Sequence, residues 1–192
     1  MEDLRELCSQ KDILMILDEV QTGFARTGKM FAYENYGIQP DILVLAKSLG
    51  GGMPIGAVVS TDRISRVFAP GMHGSTFGGN AASCAAAIAV LDYIRDNDLV
   101  RRAEELGIHL LNGLKKLKGR YSAVKHVRGL GLMAAMELEE PAAAAIVEDG
   151  LKDGLVLNRV SDHILRFLPP IIIKKANIDY MLKWLGRKLG EI

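Results

Sequence analysis

Cysteine and aromatic residues are scarce in this sequence: two cysteines, one tryptophan and 6% aromatics among 192 residues. Cys8 and Cys84 build no disulfide framework, which excludes a small cross-linked secreted scaffold and fits a reducing cytoplasm. A surplus of charge is missing as well. The 24 Lys+Arg against 23 Asp+Glu leave a formal net charge of +1, so no long-range field recruits nucleic acid or an anionic membrane. Long hydrophobic runs are absent too: the tract around "AASCAAAIAVL" is too short to cross a bilayer. The opening "MEDLRELCSQ" lacks the apolar centre of a secretory signal. His73, His109, His126 and His163 are widely spaced and match no metal-ligand pattern, so no metal is expected. What remains, 49% hydrophobic and 24% charged residues, is the composition of an ordinary globular α/β chain.

Against that background "ILMILDEVQTGF", residues 13–24, stands out. Its apolar run without alternation predicts a strand buried on both faces of a parallel sheet, ending in Asp18 and Glu19. "ILVLAKSLGGG" repeats the plan, an apolar strand delivering Lys47 into a glycine-rich turn. Ligands of open α/β sheets gather beyond the carboxyl ends of such strands, so Asp18 and Lys47 are expected at one edge. A buried lysine is costly unless it is paired or put to chemical use. An amine and an acid at such an edge suit pyridoxal phosphate, which needs an imine-forming lysine and an acid facing its pyridine nitrogen. "LMILDE" alone also fits the magnesium-binding strand of a P-loop ATPase. That alternative needs a GxxxxGK[ST] loop, and "GGMPIG" lacks the lysine and hydroxyl that should follow.

Elsewhere the pattern is α/β throughout. A short helix is expected over 2–10 and a third strand in "IGAVVS". A helix should open after "HGSTFGGN" with Asn80 as its N-cap. Leu99, Ala103, Leu106, Leu110, Leu114 and Leu117 recur at helical spacing. "AVKHV", "LMAAMEL", "LVLNRV" and "ILRFLPP" read as strands. A helix is expected to start at Pro141 and stop at Gly154, and Ile178, Met181, Leu182, Leu185 and Leu189 mark a closing helix. The change of texture near residue 97 divides the chain into residues 1–96 and a smaller α/β domain, 97–192. Arg166, alternating with apolar neighbours, is a candidate fork for a carboxylate.

Taken in order, "LMILDEVQTGFARTGKMFAYENYGIQPDILVLAKSLGGGMPIGAV", "HGSTFGGN", "VRGLGLM" and "LRFLPPIII" resemble the C-terminal part of class III, fold type I, pyridoxal-phosphate-dependent aminotransferases. The chain is most similar to the members acting on N-acetylornithine. The resemblance implies part of a large parallel-sheet cofactor-binding domain followed by a small C-terminal α/β domain. It makes Lys47 the residue that attaches the cofactor and carries the proton, and Asp18 the partner of the ring nitrogen. Val20 is expected against one ring face and Gln21 near the phenolic oxygen. Ser75 and Thr76 are expected on the cofactor phosphate of an opposite subunit, hence a homodimer with a shared site. Arg166 is expected on the substrate carboxylate. The implied reaction passes the terminal amino group of N-acetylornithine to 2-oxoglutarate in the cytoplasm, a step of arginine biosynthesis.

The resemblance also implies a truncated chain that begins inside the large domain. Such a chain lacks its own phosphate loop and is expected to bind the cofactor weakly or not at all by itself, and to be inactive alone. The alternative is a non-catalytic fragment or a split subunit that needs a partner chain. "NRVSDH", at 158–163, departs from the family's usual Thr-Gly turn on the substrate side.

Overall fold

A computed structural model describes all residues, 1–192. The chain divides into two compact units, residues 1–100 and 101–192, each described by itself.

The first unit opens with helix α1 (Glu2–Gln10), whose Glu2 and Asp3 sit in the first turn, where the helix dipole favours acids. Strands β1 (Ile16–Asp18), β2 (Ile42–Leu45) and β3 (Ala57–Ser60) form a three-stranded sheet in that order. β1 and β2 are parallel, with Asp18 level with Val44. β2 and β3 are antiparallel, so the expectation of a parallel sheet holds for the first pair only. Asp41 ties the entry of this sheet together. Its Oδ2 accepts from Arg5 Nη1 at 2.6 Å and from the Met15 amide at 2.8 Å. Short 3₁₀ turns follow β1 and β2, at Ala32–Tyr36 and Lys47–Gly50.

After β3 come one turn of helix, α2 (Asp62–Ser65), an irregular stretch of turns and bends, and helix α3 (Ala81–Asp96). Asn80 caps α3 as its sequence predicts: Oδ1 accepts from the amides of Ala82 and Ser83, both at 3.1 Å.

The expectation of a strand buried on both faces is not met in β1. Leu17 is half-buried, but Ile16 is 58% exposed, and Ile13 and Leu14 before it are exposed too. The apolar run is present, but only Met15 is fully buried in it.

The second unit is an antiparallel sheet of β4 (Val124–Leu130), β5 (Met133–Leu138), β6 (Asn158–Ser161) and β7 (Ile164–Phe167), in the order β4-β5-β7-β6. It is accompanied by α4 (Leu99–Arg120), α5 (Ala143–Lys152) and α6 (Lys175–Leu189). Helix α5 starts two residues after Pro141 and ends two before Gly154, because both residues lie in the flanking turns. Along β5, Ala134, Met136 and Leu138 are buried while Met133, Ala135 and Glu137 are not, the two-residue period of a sheet covered on one face. Leu110, Leu114, Leu132, Met136, Leu165, Ile178 and Leu185 fill the core around Trp184. The indole Nε1 of Trp184 donates to Asp153 at 2.7 Å, so the largest buried side chain keeps its one polar atom paired.

Candidate functional site

Parallel pairing of β1 and β2 brings the two charged strand ends to one edge. Asp18 is in register with Val44, and Lys47 follows three residues later. At about 3.3 Å of rise per residue, Lys47 lies at most roughly 10 Å further along the strand direction. Both residues are exposed, and no ion pair joins them.

Lys47 adopts a left-handed backbone conformation, with φ of +44°, uncommon for a residue with a side chain and typical of functional turns. Its amine has no acidic partner. The turn closes through Gly51, at φ +57°, where an added Cβ would come 2.8 Å from Val90 Cγ2 of α3. The glycines therefore let the lysine-bearing turn lie directly on α3.

Asp18 uses one oxygen, Oδ1, to accept from the Val20 amide at 2.9 Å. The other oxygen is free. Val20 is half-buried and Gln21 exposed, so the loop after β1 presents both next to the acid.

Glu19 points the other way. It is 3% exposed, with Oε2 accepting from Thr22 Oγ1 at 3.0 Å and the Ala32 amide at 2.7 Å, and Oε1 from the Tyr33 amide at 2.8 Å. With both oxygens committed, this carboxylate is not available to position water, which removes the ATPase alternative. Burial, followed by the nearby Glu34 and Glu19 carboxylates, pushes the Tyr33 phenol above its ordinary pKa.

Ser75 and Thr76 sit in the exposed stretch ahead of α3. Ser75 lines a cavity of about 300 Å³ with Pro54, Phe77, Asn80 and Ser83; Thr76 does not. The first amides of α3 are already taken by Asn80, so an anion here would rely on hydroxyls and loop amides. No hydrogen bond links Ser75 or Thr76 to Asp18, Val20, Gln21 or Lys47. Around them Val67, Phe68 and Met72 are exposed, and Phe77 is 80% exposed.

In the second unit Arg166 occupies β7 opposite Asn158 of β6 and Ala135 of β5. Asn158 Oδ1 accepts from Arg166 Nε at 3.1 Å, and no carboxylate pairs with the guanidinium. The same arginine lines a mainly apolar cavity of about 510 Å³ with Leu157, Asn158, Phe167, Asn177 and Met181. An unpaired guanidinium beside apolar walls can fork onto a carboxylate while the walls take a carbon chain.

Glu19 and Asn158 are the polar residues of these sites that sequence reasoning passed over. The signal for Glu19 was its place beside Asp18, since successive residues at a strand end face opposite ways. That for Asn158 was the β6–β7 hairpin, whose register sets it across from Arg166.

Comparison with known proteins defines the class first. The model of the class-III aminotransferase family matches residues 1–189. The chain is 47% identical over 189 residues to the acetylornithine aminotransferase of Caldanaerobacter subterraneus subsp. tengcongensis, covering 98% of this chain and 48% of that protein. It is 46% identical over 192 residues to the acetylornithine aminotransferase of Methanocaldococcus jannaschii, again 48% of that protein. Among solved structures, the acetylornithine aminotransferase of Elizabethkingia anophelis superimposes with a TM-score of 0.94 at 38% identity, over 100% of this chain and 49% of that one. The chain belongs to the class-III aminotransferases, and it spans about half the length of the curated relatives it matches.

Class-III aminotransferases use pyridoxal phosphate. The residues present here fit that group: Lys47 is an amine without a counter-charge, and Asp18 keeps one carboxylate oxygen uncommitted.

Proposed function

We propose that this chain supplies the lysine, the acid and the carboxylate-binding arginine of an aminotransferase that moves the terminal amino group of N-acetylornithine to 2-oxoglutarate. One observation carries the reading: Asp18 and Lys47 leave the carboxyl edge of adjacent, in-register parallel strands, each without an opposite charge. The similarity to acetylornithine aminotransferases supports the choice of donor.

Pyridoxal phosphate, when bound, supplies an electron-accepting ring that stabilises negative charge on the substrate carbon. The protein's own work is to bind, hold and move protons. Asp18, with Oδ1 fixed by the Val20 amide, turns its free oxygen to the ring nitrogen and keeps that nitrogen protonated. Val20 packs on the ring and Gln21 meets its phenolic oxygen. Lys47 would hold the cofactor through its amine and, when that amine is free, would serve as the base that takes the proton from the amino-bearing carbon of the substrate and returns it. Arg166, held through Nε by Asn158, offers its remaining N–H groups to the substrate carboxylate.

Ser75 and Thr76 serve the phosphate of a second copy, and the bare Val67, Phe68, Met72 and Phe77 around them suit a homodimer contact. Cys8 and Cys84 are unpaired, which suits the cytoplasm where we place the reaction.

The substrate test is a half-reaction. Protein equilibrated with pyridoxal phosphate is mixed in turn with N-acetylornithine, ornithine, succinylornithine and 4-aminobutyrate, and the loss of its visible absorbance is followed. The fastest bleaching is expected with N-acetylornithine; faster bleaching by any of the others reassigns the donor.

A further inference from the structure

Every side chain given a chemical role in the first unit, apart from Lys47 and the Ser75–Thr76 pair, sits on the last residue of β1 or the few that follow it. A loop of thirteen residues, Glu19–Phe31, runs from β1 to the 3₁₀ turn at Ala32–Tyr36; Phe24 and Ala25 bury its middle, and its direction depends on what ties its two ends.

Glu19 is the residue where its constraints meet. Its backbone continues the sheet for one residue beyond β1, the amide donating to Val44 O at 2.9 Å. Its carbonyl accepts from the Gly23 amide at 3.0 Å. A Cβ on Gly23 would stand 3.0 Å from that same oxygen, so the turn closes tightly on it. Its carboxylate then collects the Thr22 hydroxyl and the amides of Ala32 and Tyr33. Those two amides open the 3₁₀ turn, where free N–H groups favour an anion. A single side chain thus bolts both ends of the loop to the sheet. With Glu19 turned inward, the alternation of an extended strand end directs Asp18 outward.

We infer that Glu19 is a positioning residue: by anchoring the 20–33 loop to the end of β1, it sets the direction in which Asp18 and Val20 meet the cofactor. The functional part of this inference rests on the aminotransferase reading; the anchoring part does not. Glutamine at this position keeps the size but places an amide donor against amide donors. Valine at Thr22 removes only the hydroxyl contact and is the milder probe.

Two measurements separate the parts. The first needs no cofactor: amide hydrogen exchange on the intact chain, its Glu19→Gln form and its Thr22→Val form. Loss of charge-assisted bonds is expected to speed exchange at Ala32, Tyr33 and Val20 about tenfold or more in Glu19→Gln. Thr22→Val should move them in the same direction by less, and Leu43 and Leu45 in β2 should stay protected in both. The Val20 amide is the informative one, since it donates to Asp18. Unchanged protection at Val20 overturns the inference whatever happens at Ala32 and Tyr33.

The second is a double-mutant cycle on the dissociation constant for pyridoxal phosphate. Glu19→Gln should weaken binding about tenfold beside Asp18 and less than about twofold beside Asn in an Asp18→Asn background, because residues that act as one unit do not add. Equal weakening in both backgrounds means a merely structural role and overturns it. An unmodified chain that takes up no cofactor is the outcome expected of a split subunit that needs a partner chain, and the exchange result at Val20 then decides the role of Glu19 alone.

Discussion

The acids of the first unit divide by what surrounds them rather than by type. Asp18 keeps a free oxygen and faces outward. Asp41, with a side chain only 15% exposed, is bound by Arg5 and the Met15 amide and approached by Arg63 at 3.6 Å. The Arg5 hydrogen bond first, then that of Met15, holds the Asp41 carboxyl below its ordinary pKa. A depressed carboxylate stabilises the fold above its unfolded pKa, and the contribution is lost as pH falls through the lower folded value. Asp41→Asn is therefore expected to cost about 1.5–3 kcal/mol in urea unfolding at pH 7. The deficit should shrink below about pH 4, the ordinary aspartate range. A deficit that is flat with pH would assign it to packing instead. The chemistry of these residues was legible in sequence where a strand ended in charge, as at Asp18 and Lys47. At Glu19 only its facing away from Asp18 was legible, because the donors that consume its carboxylate lie thirteen and fourteen residues away, at Ala32 and Tyr33.

At the scale of elements, periodicity announced nearly every helix and strand, while close contacts were silent. Helix α4 shows why. Its apolar stripe gave the helix, but Gly107 within it lies where an added Cβ would fall 2.3 Å from the backbone of Gly131, in the β4–β5 turn. The helix and that turn touch backbone to backbone. Gly107→Ala is expected to destabilise by about 3 kcal/mol through overpacking. Gly119→Ala, with nothing within 4 Å, should be neutral or stabilising by up to about 1 kcal/mol. Thermal unfolding of the two variants side by side checks this, and similar midpoints would refute the close approach. The short extent of β1 has a related cause. Its apolar residues form a strand only where β2 pairs with it, and its other side meets nothing.

For the whole molecule, exposed apolar surface is concentrated on the first unit. Ile13, Ile16, Val58 and Val59 border its sheet, and Val67, Phe68, Met72 and Phe77 surround the hydroxyls assigned to a second copy. If two copies share their sites, a chain with Lys47→Ala and one with Thr76→Val each lack a different part of the same site. Mixed, they form a hybrid in which one site has both residues intact. Cofactor capture is expected to reappear on mixing and to be absent or weak in each variant alone. Capture that stays absent in the mixture argues for a site built within one copy. The family likeness was readable from the order of the motifs. Exposed apolar surface was implied by the resemblance to part of a larger sheet domain; that Met72 and Phe77 carry so much of it was not legible, since a sequence shows which residues are apolar and not which of them lack a neighbour.

The most direct test of the central claim, that Lys47 at the edge shared with Asp18 is the attaching amine, is reductive capture. The protein is mixed with pyridoxal phosphate, treated with borohydride, digested and mapped by mass spectrometry, beside Lys47→Ala. Label confined to the peptide carrying Lys47, and abolished in the variant, is the predicted result. Label spread over surface lysines, and equal in the variant, would contradict it.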